Sequence, residues 1–259
     1  MPQPKAIILR APGTNCDQET GYAFEQAGAT ADYIHINQLM ENPSVLADYQ
    51  ILCLPGGFSY GDDIAAGRVL ASQMQSTLAA AIGEFHDAGK LVLGICNGFQ
   101  ILIKTGFLLP RDDSGLPATL TWNNHGRFID CWVNLKTDDE KCVFLKDVDQ
   151  MYLPIAHAEG QFVARDAAVM DGLKSNHQLA LTYCRADGSN GADLEFPANP
   201  NGSKENVAGV CDDTGRIFGL MPHPERFIDP THHPRWTREG LKEEGEGLAV
   251  FKNAVGYFG

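Results

Sequence analysis

The chain has 259 residues, 44% of them hydrophobic, with 20 Lys+Arg against 33 Asp+Glu and a formal net charge of −13. That length builds one large domain or two small ones around a substantial core, and the acidity argues against a nucleic-acid or anionic-membrane partner. No apolar run is long enough for a bilayer and the first residues lack signal-peptide character; seven scattered cysteines without C-x-x-C spacing speak against a disulfide framework or zinc site and fit a reducing cytoplasm.

Residues 5–9 read as a strand ended by Ala11-Pro12-Gly13, and Asp17-Gln18-Glu19 open an amphipathic helix that closes near Gly28. Residues 32–36 form a second strand, 45–49 a helix end or turn, and 50–54 a third strand stopped by Pro55-Gly56-Gly57. The Ala- and Leu-rich stretch 64–87 reads as one helix, and residues 91–93 as a buried strand. Strands alternating with helices predict an α/β fold: three αβα layers around a mostly parallel central sheet. After Gly106 the texture changes. Residues 119–123, 127–135 and 150–155 read as antiparallel strands with one wet face, an insertion or edge extension. Residues 166–173 read as a short helix, 177–184 as a strand, and 186–205 as a Gly/Asn/Pro-rich surface loop. Residues 207–211 and 216–221 form a hairpin turning at Asp212-Asp213-Thr214-Gly215, and 249–257 a closing helix. No linker-like segment divides the chain, so a single domain over 1–259 is expected.

The organising stretch is Gly94-Ile95-Cys96-Asn97-Gly98, between a strand and a helix-like run. It is a nucleophile elbow with cysteine in the nucleophile's place. Gly94 and Gly98 leave room for a turn too tight for side chains, and Cys96 falls at a helix N-terminus, where the dipole favours a thiolate. A cysteine nucleophile needs a base and the base an orienting group. His223 and Glu225, two apart across Pro224 at the end of the predicted hairpin, fit those roles. The oxyanion of an acyl transfer needs N–H donors: Asn97, which follows the nucleophile, supplies one, and the Gly57 loop is the candidate for the second. The adjacent His232 and His233 lack ligands at set spacing, so no metal site is expected. Glu243, Glu244 and Glu246 read as a solvated face. Neither a Gly-x-x-x-x-Gly-Lys-Ser/Thr loop nor a strand–Gly-x-Gly-x-x-Gly–helix unit is present, so the chain should not handle ATP by those devices.

Residues 94–100 (Gly-Ile-Cys-Asn-Gly-Phe-Gln) match the G-x-C-x-G-x-Q signature of class I, triad-type glutamine amidotransferases. Segments 12–17 (Pro-Gly-Thr-Asn-Cys-Asp), 55–62 (Pro-Gly-Gly-Phe-Ser-Tyr-Gly-Asp), 154–160 (Pro-Ile-Ala-His-Ala-Glu-Gly) and 219–226 (Gly-Leu-Met-Pro-His-Pro-Glu-Arg) narrow the resemblance. Together they resemble the glutaminase subunits of phosphoribosylformylglycinamidine synthases, over nearly the whole chain. The resemblance implies a flavodoxin-like amidotransferase fold, Cys96 as nucleophile, His223 as base then acid, and Glu225 as its orienter. It implies that Gly57 and Gln100 help hold substrate and oxyanion, and that the segment from His157 to Gly160 lines a glutamine pocket. It further implies no cofactor in this chain, with ATP and Mg on a partner synthetase subunit. That subunit receives the ammonia and converts formylglycinamide ribonucleotide to the formylglycinamidine in purine synthesis. The segment 227–247 is longer than in short free-standing subunits and resembles the end of fused synthases, which leaves a third small subunit open. Rival readings are an amidotransferase serving another synthetase, a stand-alone γ-glutamyl hydrolase, and a non-catalytic regulatory subunit of the same fold.

Overall fold

The first half of the chain alternates as its sequence pattern predicts: β1 (Lys5–Arg10), α1 (Asp17–Gln26), β2 (Thr30–His35), α2 (Ile36–Glu41), β3 (Ile51–Leu54), α3 (Arg68–Thr77), α4 (Ala79–Asp87), β4 (Leu91–Ile95) and α5 (Asn97–Thr105). The second half is richer in strands: β5 (Ala118–Thr121), β6 (Ile129–Thr137), β7 (Gln150–His157), β8 (Gln161–Ala164), α6 (Ala167–Ser175), β9 (Leu181–Cys184), β10 (Val207–Cys211), β11 (Ile217–Leu220), α7 (Trp236–Glu239) and α8 (Leu248–Gly256). This computed structural model describes residues 3–192 and 194–259; Met1, Pro2 and Asp193, the last within the predicted 186–205 loop, lie outside the described residues.

Nine strands form one sheet in the order β2-β1-β3-β4-β11-β10-β9-β6-β7. From β2 to β11 the neighbours run parallel, and from β11 to β7 each pair is antiparallel. The central strands β3 and β4 are buried along their whole length, as apolar runs without alternation require when helices cover both faces. Chain direction places those helices. The β1→β2 crossover runs one way along the sheet and β3→β4 the other, so right-handed connections put α1 on one face and α3–α4 on the opposite face. The Phe24 ring of α1 meets Phe251 of α8 edge-on, centroids 4.9 Å apart.

The expected edge extension is present, continuing the main sheet through β9, β6 and β7, and the hairpin of β10 and β11 turns at the predicted residues. Several expectations are corrected. The 64–87 helix is two helices meeting at Leu78 (φ −110°, ψ −1°), and Ile64 and Gly67 are left-handed ahead of them. Ser76 Oγ donates to Gln73 O (3.0 Å) in the last turn of α3, the local competition with helical bonding that serine offers, while the Leu78 side chain is fully buried. The second strand stops at His35, whose Nδ1 accepts from Asn37 N (3.2 Å) and caps α2, a helix the pattern did not suggest. Strand β5 does not join β6 and β7. It pairs with the unanticipated β8 in a separate ribbon, because the chain turns back after His157.

The 186–205 stretch is not a free surface loop. Asn199, Asn201, Ser203 and Asn206 are buried, and Asn201 Nδ2 donates to Gly160 O (2.8 Å) while Ser203 Oγ accepts from Phe162 N (2.9 Å). Short amides and hydroxyls satisfy backbone groups that water would otherwise serve. The acidic tail is likewise only partly a solvated face: Glu246 Oε2 accepts from Tyr152 N (2.5 Å), and Glu244 pairs with Lys252. His233 stacks among Trp132, Tyr152 and Phe227, ring centroids 5.5–5.6 Å away.

Helix α5 approaches β3 so closely that a Cβ on Gly98 would lie 1.9 Å from Leu54 O. Gly98→Ala must push the helix off the sheet and should lower the unfolding free energy by about 2–3 kcal/mol. A urea midpoint equal to that of the unsubstituted chain would show the contact to be yielding.

Candidate active site

Strand β4 ends at Ile95 and α5 begins at Asn97, so Cys96 alone makes the turn, with φ 50° and ψ −102°. A residue with a Cβ is strained there. Its place is over-determined: Cys96 N donates to Leu220 O of β11 (2.7 Å) and Cys96 O accepts from Gln100 N (3.1 Å). Sheet order does the rest. Because β11 lies beside β4, the residues leaving β11 arrive at the elbow, where His223 N donates to Pro154 O on β7 (2.9 Å).

His223 Nδ1 stands 2.6 Å from Glu225 Oε1, and both side chains are almost wholly enclosed. The other ring nitrogen has no hydrogen bond of ordinary geometry; the ring lies beside two thiols, those of Cys96 and Cys16. Burial would push the imidazole down, but the Glu225 carboxylate and then Cys96 outweigh it and hold His223 well above the usual histidine range. Cys16, at the start of α1, did not emerge from the sequence as a site residue. Burial pushes its thiol up, and Arg226 Nη2 donates to its Sγ (3.2 Å). The polar atoms of Cys16, His223 and Glu225 lie within 4.8 Å of one another, but the imidazole and carboxylate spend that closeness on each other. A Cβ on Gly56 would lie 2.8 Å from the His223 ring and 3.1 Å from Cys16 Sγ, so the bare backbone of this loop lets the imidazole sit where it does.

In front of the thiol opens a pocket of about 250 Å³, lined among others by Gly57, Asp62, Cys96, Gln100, Trp122, His157 and Glu159. A wider hollow of about 540 Å³ between His125, Phe128 and Phe196 is lined, among the described residues, by no thiol or carboxylate. Of the residues singled out in the sequence, Gly57, Gln100 and His157 therefore share the pocket with Cys96. The Asn97 side chain lies behind it: Nδ2 donates to Gln100 Oε1 (2.9 Å) and Asp62 Oδ1 (3.2 Å), and Oδ1 accepts from Ser59 N (3.2 Å). Its N–H belongs to the first turn of α5, whose donors have no intrahelical acceptor. Gly160 is not in the pocket wall. A Cβ there would come within 2.2 Å of the His157 ring, so it makes room for a pocket residue instead.

Hydrogen bonding sets the form of His157. Asn123 Nδ2 donates to Arg127 O (2.8 Å) and His157 O (3.0 Å), which leaves Oδ1 to accept from Gly160 N (3.0 Å) and face His157 Nδ1 (3.1 Å). Nδ1 therefore carries the proton, and Nε2 is a buried lone pair without a partner. Burial first, and His223 second, push this imidazole down to about 3. In the same pocket, burial and then Glu159 push the Asp62 carboxyl up to about 6. Asp62 and Glu159 stood inside quoted segments, yet nothing in the linear pattern marked their carboxylates as neighbours.

A cysteine elbow on an α/β sheet, with a buried histidine–carboxylate pair delivered beside it, is the arrangement that defines the triad-type amidotransferases. The chain belongs to the CobB/CobQ-like glutamine amidotransferase domain family, which its residues 3–258 match. It is 49% identical over 256 residues to the phosphoribosylformylglycinamidine synthase subunit PurQ of Dehalococcoides mccartyi, covering 98% of each chain. To the subunit of the same name from Methanococcus maripaludis it is 43% identical over 267 residues, covering 98% of this chain and 97% of the relative. Among solved structures it resembles one chain of PurLQS from Thermotoga maritima, at a TM-score of 0.74 and 32% identity over 100% of both chains.

Two outcomes test this geometry. Gly56→Ala should displace the His223 ring and cut turnover by about 100-fold, the scale of a lost acid–base catalyst, with unfolding little changed; unimpaired turnover would free Gly56 of that task. The second concerns acid stability. The unfolded chain takes up a proton at His157 near 6.5 and the native chain only near 3, so the stability this group contributes is complete above pH 6.5 and is lost as pH falls towards 3. Between pH 7 and pH 5 that loss is about 2 kcal/mol. Urea unfolding of His157→Gln should show a correspondingly shallower acid decline than the unsubstituted chain, and an identical decline would refute the neutral, buried imidazole.

Proposed function

We propose that the chain is the glutaminase subunit of a phosphoribosylformylglycinamidine synthase, acting as one amidotransferase domain in the cytoplasm. The observation that carries the reading is the His223–Glu225 contact of 2.6 Å, enclosed beside the strained Cys96 elbow; the full-length identity to subunits of that name supports the choice of synthase. No helix among the described residues is long and apolar enough to cross a membrane.

In this mechanism His223 first takes the Cys96 proton as base, and the sulfur attacks the side-chain carboxamide carbon of glutamine. The oxyanion that forms is met by the N–H groups of Asn97 and Gly57. His223, held as an imidazolium by Glu225, gives its proton to the departing nitrogen as the C–N bond breaks, and ammonia leaves. The imidazole then takes a proton from the water that attacks the thioester carbon, the C–S bond breaks, glutamate departs, and the thiolate–imidazolium pair is restored. Glu225 keeps the ring in one tautomer and compensates its charge. The chain itself uses no cofactor. ATP and Mg belong to the synthetase subunit that receives the ammonia and aminates formylglycinamide ribonucleotide. Full-length similarity to a chain of the structure called PurLQS supports the synthetase partner.

Reconstitution with the synthetase subunit tests the assignment. Cys96→Ala should abolish glutamine-dependent product formation and leave ammonia-dependent formation intact, and Glu225→Gln should lower the glutamine-dependent rate by roughly 100-fold or more. Glutamine use by the alanine variant would end the thiol mechanism, and full activity in Glu225→Gln would remove that residue from it.

A further inference from the structure

The glutaminase reading uses one end of the pocket, where Cys96 meets a carboxamide. The other end carries two carboxylates to which that chemistry gives no task. Asp62 and Glu159 both line the pocket, and among the described residues no lysine or arginine does. Lys104, whose charge acts on both, is itself buried and turned to Leu120 O (3.5 Å). The pair is built in. Both Glu159 oxygens accept from Ala66 N (3.3 Å each), Gln100 Nε2 donates to Glu159 O (2.6 Å), and Asn97 links Gln100 to Asp62. Burial first, and the charge of Glu159 second, raise Asp62, and two carboxylates lining one pocket leave a place where a cation lowers the energy.

An independent feature points the same way. His157 Nε2 is an enclosed lone pair in the wall of this pocket with no donor to meet it. The pocket therefore offers acceptors on both sides and calls for a ligand that brings N–H groups. An amino-acid amide brings them at both ends, two on the carboxamide and three on the ammonium. Gln100, bonded to Glu159, stands one turn of α5, about 6 Å, beyond Cys96, a span comparable to that from the carboxamide of glutamine to its α-nitrogen.

We propose that the carboxylates of Asp62 and Glu159 together seat the α-ammonium group of the substrate, making them the determinants of specificity for α-amino-acid amides; the proposal rests on the glutaminase reading above. The negative pair rejects amides that lack the ammonium and substrates that bring a further carboxylate to that end. Gln100 and Asn97 hold the pair in register and do not themselves contact the ammonium.

The test is covalent labelling of Cys96 in the whole chain, read by mass spectrometry, so that no partner or turnover is needed. Two diazoketones are compared, 6-diazo-5-oxo-L-norleucine and 6-diazo-5-oxohexanoate, identical except that the second lacks the α-amino group. The unsubstituted chain should label much faster with the first. Asp62→Asn and Glu159→Gln should each slow that labelling by about 10- to 100-fold, the worth of hydrogen bonds to a charged group, and leave the rate with the hexanoate unchanged. Glu159→Gln retains an oxygen for Ala66 N, and the hexanoate rate reports whether the pocket is intact in either variant. Equal losses with both reagents, or no loss with either, would overturn the proposal while leaving the thiol chemistry standing. An unsubstituted chain that labels at Cys96 with neither reagent would overturn the glutaminase reading and the proposal together.

Discussion

Glu225 is a carboxylate with almost no access to water, and one of its oxygens has a single partner, the His223 ring 2.6 Å away, while the other has none. A buried charge of that kind is sustained only by a countercharge, and removing the partner typically costs about 3–5 kcal/mol. The imidazole is thereby committed to its cationic form against the pull of burial, and a cation so placed asks for a negative group on its far side. The Cys96 sulfur lies beside the ring to meet that demand. The demand for charge balance runs from Glu225 through His223 to the thiol, and the strained backbone at residue 96 is tolerated because the surrounding sheet leaves it no alternative.

Topology explains how three residues so far apart in the chain come to share one dry spot. Strand order sets β11 beside β4, so the elbow and the His-Pro-Glu turn leave neighbouring strands at the same end of the sheet, the carboxyl end where open α/β sheets bind ligands. Strand β3 is the other neighbour of β4, and its exit loop brings Gly56 and Gly57 against the same site. The antiparallel extension adds β7, which anchors His223 through Pro154 and ends at His157. What looks in sequence like an appended half is the wall that closes the pocket.

Two buried histidines near the thiol illustrate how surroundings divide one side-chain chemistry. His223 faces a carboxylate and is driven towards the cation. His157 faces the oxygen of a neutral amide, is equally buried, repels His223, and stays neutral. The orientation of Asn123, set by the two carbonyl oxygens and one N–H around it, decides which nitrogen of His157 keeps its proton. Cys16 shows the converse, a thiol beside the same imidazole as Cys96 but high in its own titration because burial dominates.

Much of this was legible in the linear chain. Uninterrupted apolar runs marked β3 and β4, the glycines around Cys96 marked the elbow, and two residues across a proline marked the base and its orienter, because each of these signals is local and steric. The failures share one physical cause. The position of the break at Leu78 follows from where that side chain is buried, the pairing of β5 with β8 from a partner strand some forty residues on, and the burial of Asn201 and Ser203 from the Gly160 and Phe162 backbone groups they satisfy; in each case the partner lies far along the chain. The same holds for function. The identity of the nucleophile and its helpers was determined by sequence, since motif spacing on a strand and its turn prescribes how a backbone can aim one atom. The tertiary structure alone decided that Cys16 touches the catalytic imidazole, that Gly160 serves His157 rather than the ligand, and that Asp62 and Glu159, ninety-seven positions apart, become one negative pair. Charges interact through space at a few ångströms, and only the folded chain sets those distances.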